Sequence, residues 1–273
     1  MIVTPKLSII TINLNNALGL RTSIESVINQ TSRDFEYIII DGNSADGSIE
    51  VIKEFESKIN YWISEPDTGI YNAMNKGINL AKGEYCQFLN SGDWFVTTNV
   101  VEKMLETIPE CSIYYGNMLK LMPNGEIFRD TCAQGNLTML NFYKGTLNHY
   151  TAFIKRCLFD KYGLYDETLK IVSDWKWYLI VIGLHNESVQ YTNLDVTWFD
   201  MNGISNINHE LEKQERQKVL KDLLPANILV DYNAHWRSIE QASRINRYKL
   251  TNWIFWVVER ILFVWEKYKI NSY

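Results

Sequence analysis

An α/β fold is predicted: a doubly wound, mostly parallel sheet flanked by helices, with a C-terminal helical extension. Three observations carry this. Short β-branched segments alternate with amphipathic helices from Leu7 to about residue 90, the pattern of parallel strands joined by crossover helices. Each early strand runs into a polar loop bearing Asn or Asp, as ligand-binding sheet edges do. After Ser205 the chain turns charged and helical.

Leu7 to Ile12 forms the first strand and ends in Asn13-Leu14-Asn15-Asn16. Leu20, Ile24, Val27 and Ile28 follow at i, i+4, i+7 and i+8, an amphipathic helix. Phe35 to Ile40 is a second buried strand, closed by Asp41-Gly42-Asn43-Ser44-Ala45-Asp46-Gly47-Ser48. The next helix carries Ile49, Ile52 and Phe55 on one face, and Tyr61 to Ser64 is a third strand.

The stretch from Asp67 to Asp93 organises the rest. Ile70, Ala73, Met74, Gly77, Ile78 and Ala81 fall on one helical stripe of small apolar residues suited to close packing on a sheet. Lys82-Gly83 reads as a helix exit, a cation on the last turn and then a residue free to turn left-handed. Tyr85 to Leu89 is a buried strand, so Asn90 to Asp93 lies at its carboxyl end.

The middle is less regular. Ile113 to Met122, Pro123-Asn124-Gly125 and Glu126 to Arg129 read as a hairpin. His149 to Ile154 is expected as a strand and Arg156 to Tyr162 as a short helix ending at Gly163. Asp174 heads a strongly apolar helix through Ile182. It either caps that helix or, with Ser173 capping instead, is free for another role. Ser188 to Tyr191 and Asp195 to Phe199 are expected as strands, with a turn at Asn202-Gly203.

Glu210 to Leu224 is a charged helix stopped by Pro225, and Asp231 to about Tyr248 a second polar helix. The tail from Trp253 to Trp265 is apolar nearly all round but shorter than the ~20 apolar residues that span a bilayer. Arg244, Arg247, Lys249, Lys267 and Lys269 flank it. Two readings stand: a helix lying in a lipid interface across residues 244–269, or one packed on protein.

A length of 273 residues accommodates one large α/β domain with a helical appendage. The aromatic fraction of 13% is high, which suits carbohydrate or nucleobase sites as well as a core. A net charge of −5 excludes a general nucleic-acid binder, which needs a basic face. Cys86, Cys111, Cys132 and Cys157 are too scattered for a zinc site or a disulfide scaffold, so reduced thiols and a cytoplasmic location are expected. Met1 to Lys6 has no basic region followed by an apolar run, so no signal peptide is expected.

Parallel strand ends lie side by side, which places Thr11, Asn13, Asp41, Asp67 and Asp93 along one crevice. Singly, each is an ordinary cap or turn former; five at one edge point to a site. No Gly-x-Gly-x-x-Gly follows the first strand and no phosphate-loop motif occurs, so neither cradle is indicated.

Several segments, in order, resemble the inverting glycosyltransferases of family 2, with the GT-A fold, over residues 6 to 205. Leu7 to Thr11 with Asn13 is similar to the family's opening strand, and Ile40 to Ser48 to its aspartate-glycine-serine-x-aspartate-glycine turn. Ala73-Met74-Asn75-Lys76-Gly77 matches alanine-arginine-asparagine-x-glycine. Leu89-Asn90-Ser91-Gly92-Asp93 stands at the leucine-aspartate-x-aspartate-aspartate metal segment. Ser64 to Tyr71, His149 and Ser173-Asp174 resemble a bacterial branch that builds surface polysaccharides of the colanic-acid type. Two departures stand out: Met74 replaces the arginine, with Lys76 a turn away, and Asn90 and Gly92 replace acidic residues, leaving Asp93.

The resemblance implies a GT-A domain over 1–205, with a nucleotide-binding half at 1–95 and an acceptor half at 96–205, then the extension at 206–273. It implies a nucleotide-sugar donor, with uridine as the expected base, held by Thr11, Asn13, Asp41, Asp67, Asn75, Lys76, Asn90, Ser91 and Asp93. Asp41 would accept from the base N–H. Asp93, with His149 as a further ligand, would bind Mg2+ or Mn2+ and neutralise the leaving diphosphate. Asp174 takes the position of the catalytic base. The acceptor would be a saccharide or a polyprenyl-diphosphate-linked saccharide at the inner face of the plasma membrane. Rival readings are a catalytically inactive nucleotide-sugar-binding protein, a nucleotidyltransferase lacking its glycine-rich signature, and a glycosidase without an identifiable carboxylate pair.

Overall fold

The computed structural model describes residues 4–122, 124–200, 208–245 and 256–263. The chain divides into two compact units, Met1–Val219 and Leu220–Tyr273. The division falls inside the helix His209–Leu223.

The first unit opens with β1 (Leu7–Asn13), α1 (Ala17–Ile28), β2 (Phe35–Asp41), α2 (Ser48–Glu54), β3 (Tyr61–Ser64), α3 (Ile70–Leu80) and β4 (Tyr85–Phe88). β2 and β4 pair with β1 in parallel, and β3 with β2. Leu7, Ile9, Ile10 and Ile38 to Ile40 are fully buried, and each such side chain contributes about 1.5–3 kcal/mol of transfer free energy. β2 and β3 lie on one side of β1 and β4 on the other, so the loops after β1 and β4 part at a topological switch point.

Helix α3 packs as its small-residue stripe predicts: a Cβ on Gly77 would lie 2.4 Å from Ile10 Cγ2. The exit differs from expectation. Ala81 is the extended C-cap, and Gly83 serves close approach, since a Cβ there would sit 2.5 Å from the Ser8 backbone nitrogen.

The second half is mixed rather than parallel. β5 (Trp94–Phe95), α4 (Val100–Thr107), β6 (Ile113–Leu121) and β7 (Ile127–Asp130) lead to α5 (Met139–Lys144) and β8 (Ala152–Lys155). After α6 (Cys157–Tyr162), α7 (Ser173–Tyr178) continues as a π turn over Leu179–Leu184, and β9 (Val189–Phe199) follows. The sheet runs β3-β2-β1-β4-β8-β6-β9-β5 with β7 on β6. β8 is antiparallel to both β4 and β6, β5 to β9 and β7 to β6, whereas β6 and β9 are parallel.

Two expectations are corrected here. His149 lies in a short 3-10 turn, His149–Thr151, and the strand starts at Ala152. The two expected late strands are one, β9, whose pairing with β6 shifts register around Asn117. The turn at Asn202-Gly203 lies outside the described residues.

Helix α8 (His209–Leu223) crosses the division between units. Its Glu215 belongs to the first: the carboxylate, 8% exposed, accepts from the backbone N–H of Lys170, Ile171 and Val172 at 2.7, 3.0 and 3.3 Å. In the second unit, α9 (Ala226–Ile245) follows Pro225. Residues 256–263 form a helix with Trp256, Ile261, Leu262 and Phe263 exposed. No helix among the described residues is long and apolar enough to cross a membrane. Arg247, Lys249, Lys267 and Lys269 lie outside the described residues, as does the side chain of Arg244.

Candidate active site

The loops after β1, β2 and β3 meet through hydrogen bonds. Asn13 Nδ2 donates to Asp41 Oδ1 at 2.7 Å, and Ser44 Oγ to the same oxygen at 2.6 Å. Asp41 Oδ2 accepts from Ser44 N–H and Ser64 Oγ at 2.9 and 2.6 Å. Burial pushes the Asp41 carboxyl up, but the bonds from Ser44, Ser64 and Asn13 outweigh it and hold it below the usual range. With four donors on a fully buried carboxylate, Asp41 organises the turn. Asn13 Oδ1 is the buried acceptor without a hydrogen-bond partner at this place. Asp67 Oδ2 lies against Gly42, where a Cβ would come within 2.6 Å of it.

Three more expected donor contacts point elsewhere. The Thr11 hydroxyl is fully buried and bonds the Tyr37 phenol at 3.0 Å. Asn75 clamps the 165–167 segment: it donates to Tyr165 O and Glu167 Oε1 and accepts from Tyr165 N–H. Lys76 pairs with Glu65 at 2.7 Å and donates to Pro66 O. Buried polar side chains find hydrogen-bond partners within the fold, and spacing along the chain does not disclose which.

The turn after β4 is held by residues from three elements. Asn16 Nδ2 donates to Ser91 O at 3.1 Å, and Ser23 Oγ accepts from Gly92 N–H at 3.0 Å. Asn90 Oδ1 is buried without a partner. Gly92 has φ +103°, a conformation side chains rarely adopt. Asp93 is 3% exposed, and its Oδ1 accepts from the backbone N–H of Asp200 at 2.9 Å. Burial pushes its carboxyl well up; the Asp200 N–H opposes this and the Asp200 charge adds to it. Stacking of Trp94 on Trp198, centroids 5.9 Å apart, fixes β5 on β9 and so sets Asp200 beside Asp93.

Asp174 stands at the head of α7, yet it does not cap it. Val172 is the N-cap and no side chain caps the helix, so the capping role considered for Ser173 is not taken up. Asp174 Oδ2 meets His149 Nδ1 at 3.0 Å and Oδ1 accepts from Tyr71 OH at 3.0 Å. Burial pushes this carboxyl up, but the bond and charge of His149 and the bond from Tyr71 prevail, leaving it below the usual range. His149 Nε2 is buried without a hydrogen-bond partner.

Tyr150 joins these centres. Its phenol is pushed well up, by burial first and then by the charges of both Asp93 and Asp174. Its ring lies 3.8 Å from that of His149 and 5.0 Å from that of Phe199. The described residues hold no group of three or more His, Cys, Asp or Glu side chains placed for a metal ion. Two adjacent carboxylates fit magnesium or manganese when substrate phosphates and water complete the shell. His149, engaged with Asp174, is not gathered with them.

Tyr71, Tyr150, Asp200 and Glu215 were missed by reading the sequence. Asp200 had a signal: it follows an apolar strand as Asp41 does. Tyr71 sits in the quoted segment, one residue into α3.

The profile of Glycosyl transferase family 2 matches residues 8–170. A Mycobacterium tuberculosis protein named uncharacterized glycosyltransferase MT1564 is 32% identical over 188 residues, 66% of this chain and 70% of that one. A PGL/p-HBAD biosynthesis glycosyltransferase of Mycobacterium bovis is 29% identical over 177 residues, 63% and 67% of the two chains. Among solved structures, residues 1-349 of Staphylococcus aureus TarS in complex with UDP-GlcNAc superpose with a TM-score of 0.64 at 17% identity. The match covers 79% of this chain and 64% of that one, under two thirds of its length, and shows a shared fold.

Proposed function

We propose, from the premise that this chain belongs to glycosyl transferase family 2, that it is an inverting enzyme using a UDP-sugar. The acceptor is a hydroxyl of a saccharide or polyprenyl-diphosphate-linked saccharide in bacterial polysaccharide synthesis. One observation carries this reading: a largely buried carboxylate held below the usual range at the head of α7 by His149 and Tyr71, with a tyrosine phenol, Tyr150, that feels the charges of both Asp174 and Asp93.

Inversion requires a base opposite the leaving group. Asp174 fills that role, taking the proton of the acceptor hydroxyl as it attacks, while His149 and Tyr71 fix its rotamer. The donor lies over the carboxyl ends of β1 to β4. Asn13 and Asp41 hold the base, Asp67 closes on the ribose, and Asn90, Ser91 and Asp93 face the diphosphate. Asp93 would hold Mg2+ or Mn2+, which would supply positive charge for the departing diphosphate. The exposed helix at 256–263 suits docking at the inner membrane face.

A non-catalytic nucleotide-sugar binder is the second reading, favoured by Asn90 and Gly92 in the metal segment. Calorimetric titration with UDP, with and without Mn2+, on wild type and Asp93→Ala tests the donor site. Metal-dependent binding lost in the variant is expected; binding of UDP that ignores metal, or no binding of UDP, GDP or dTDP, would overturn it. Turnover of a UDP-sugar separates enzyme from binder.

A further inference from the structure

We infer that Asp200, just beyond β9, supplies a second carboxylate to the cation and diphosphate site centred on Asp93, in the space that an acidic side chain at position 92 would have held. This rests on the donor-site reading above.

The argument is spatial. In the resemblance to family 2, position 92 belongs to the acidic metal segment, yet here it is glycine. A Cβ built on Gly92 would lie 2.7 Å from Asp200 Oδ2 and 3.3 Å from Asn16 Nδ2. The carboxylate of Asp200, 107 residues along the chain from Asp93, therefore reaches the place a side chain at 92 would enter. The positive φ at 92 favours glycine, and the missing side chain leaves room for the Asp200 carboxylate. The loss of an acid in the turn and the arrival of one from β9 are thus complementary.

The placement is built rather than incidental. The Asp200 backbone N–H bonds Asp93 Oδ1 at 2.9 Å, so the two residues are held in register by the β5 and β9 pairing. Phe199, adjacent in sequence, packs on Tyr150. Two carboxylates set side by side with one of them buried repel each other. A divalent cation relieves that repulsion, and hard oxygen donors are what Mg2+ and Mn2+ select.

The test measures metal, not turnover. Binding of Mn2+ is followed by loss of its free-ion EPR signal in the presence of UDP, on the full chain and on Asp200→Asn. That variant keeps the backbone N–H and the side-chain shape, and its folding is checked by thermal unfolding. The expected result is Mn2+ affinity weaker by about tenfold or more, the scale that losing a group supporting a metal costs, with metal-free UDP affinity not weakened, since a charge that repels the diphosphate is removed. Asp200→Glu, which restores a carboxylate, should recover part of the loss. Unaltered Mn2+ affinity in Asp200→Asn would overturn the assignment, as would an equal loss of metal-free UDP binding, which would mark Asp200 as a prop for the turn. If wild type takes up no Mn2+ with UDP, GDP or dTDP, the donor-site reading fails and this inference with it.

Discussion

His149 Nδ1 lies 3.0 Å from Asp174 Oδ2, joining a 3-10 turn to the head of a buried helix across 25 residues of chain. The contact leaves Asp174 ionised despite its burial. Asp174→Asn keeps the shape but cannot take a proton. Transfer should fall by about 10²–10⁴-fold, the usual worth of a general base, with UDP affinity held. A variant that retained turnover within tenfold of wild type would move the base elsewhere.

Glu215 sets where Asp174 stands, because its carboxylate binds three consecutive N–H groups just before α7. Glu215→Ala strands these donors and should cost about 3 kcal/mol or more in urea unfolding. Glu215→Gln, retaining one oxygen, should recover part of it. A loss below about 0.5 kcal/mol would show that water replaces the carboxylate.

Gly77 lets α3 lie on β1. Gly77→Ala places a methyl 2.4 Å from Ile10 Cγ2, on a fully buried side chain with nowhere to move. Overpacking of this kind costs about 1–3 kcal/mol, outweighing the gain of ~1 kcal/mol that alanine brings to a helix. Thermal melts showing a more stable variant would contradict the close packing.

Glu187 makes stability pH-dependent. The bond from Lys161, then those from Ser112 and Tyr162, draw its carboxyl from 4.5 to about 2. A lowered folded value stabilises above pH 4.5, and the contribution is lost as pH falls from 4.5 towards 2. Lys161 is 61% exposed, so the effect is discounted to about 1–2 kcal/mol. Glu187→Gln should be less stable by that amount at pH 6, the gap closing by about pH 2 on acid titration followed by circular dichroism.

The helix at 256–263 exposes Ile261, Leu262 and Phe263, and residues 244–269 carry six basic side chains against two acidic ones. Co-sedimentation with vesicles containing anionic lipid is expected, weakened in Ile261→Ser/Phe263→Ser and by raised salt. Equal recovery of wild type and variant in the pellet would favour packing against protein.

Alternation of apolar strands and amphipathic helices was enough to determine the α/β class, the first four strands with their order of appearance, and the polar edge with Asn13, Asp67 and Asp93. These are local properties, because strand and helix periods and turn residues act within a few positions. Asp174 and His149 were legible through family resemblance, whereas their pairing with each other and the bond from Tyr71 were not. Tertiary structure decided which partners Asp41, Asn75 and Thr11 bond within the fold, that the second half of the sheet is mixed, and that Tyr71 meets Asp174 while Asp200 meets Asp93. Each of those outcomes depends on which strand ends are brought side by side. A one-dimensional pattern records which residues can bond, but the partner a buried donor or carboxylate finds is set by strands and helices packed from tens of residues away.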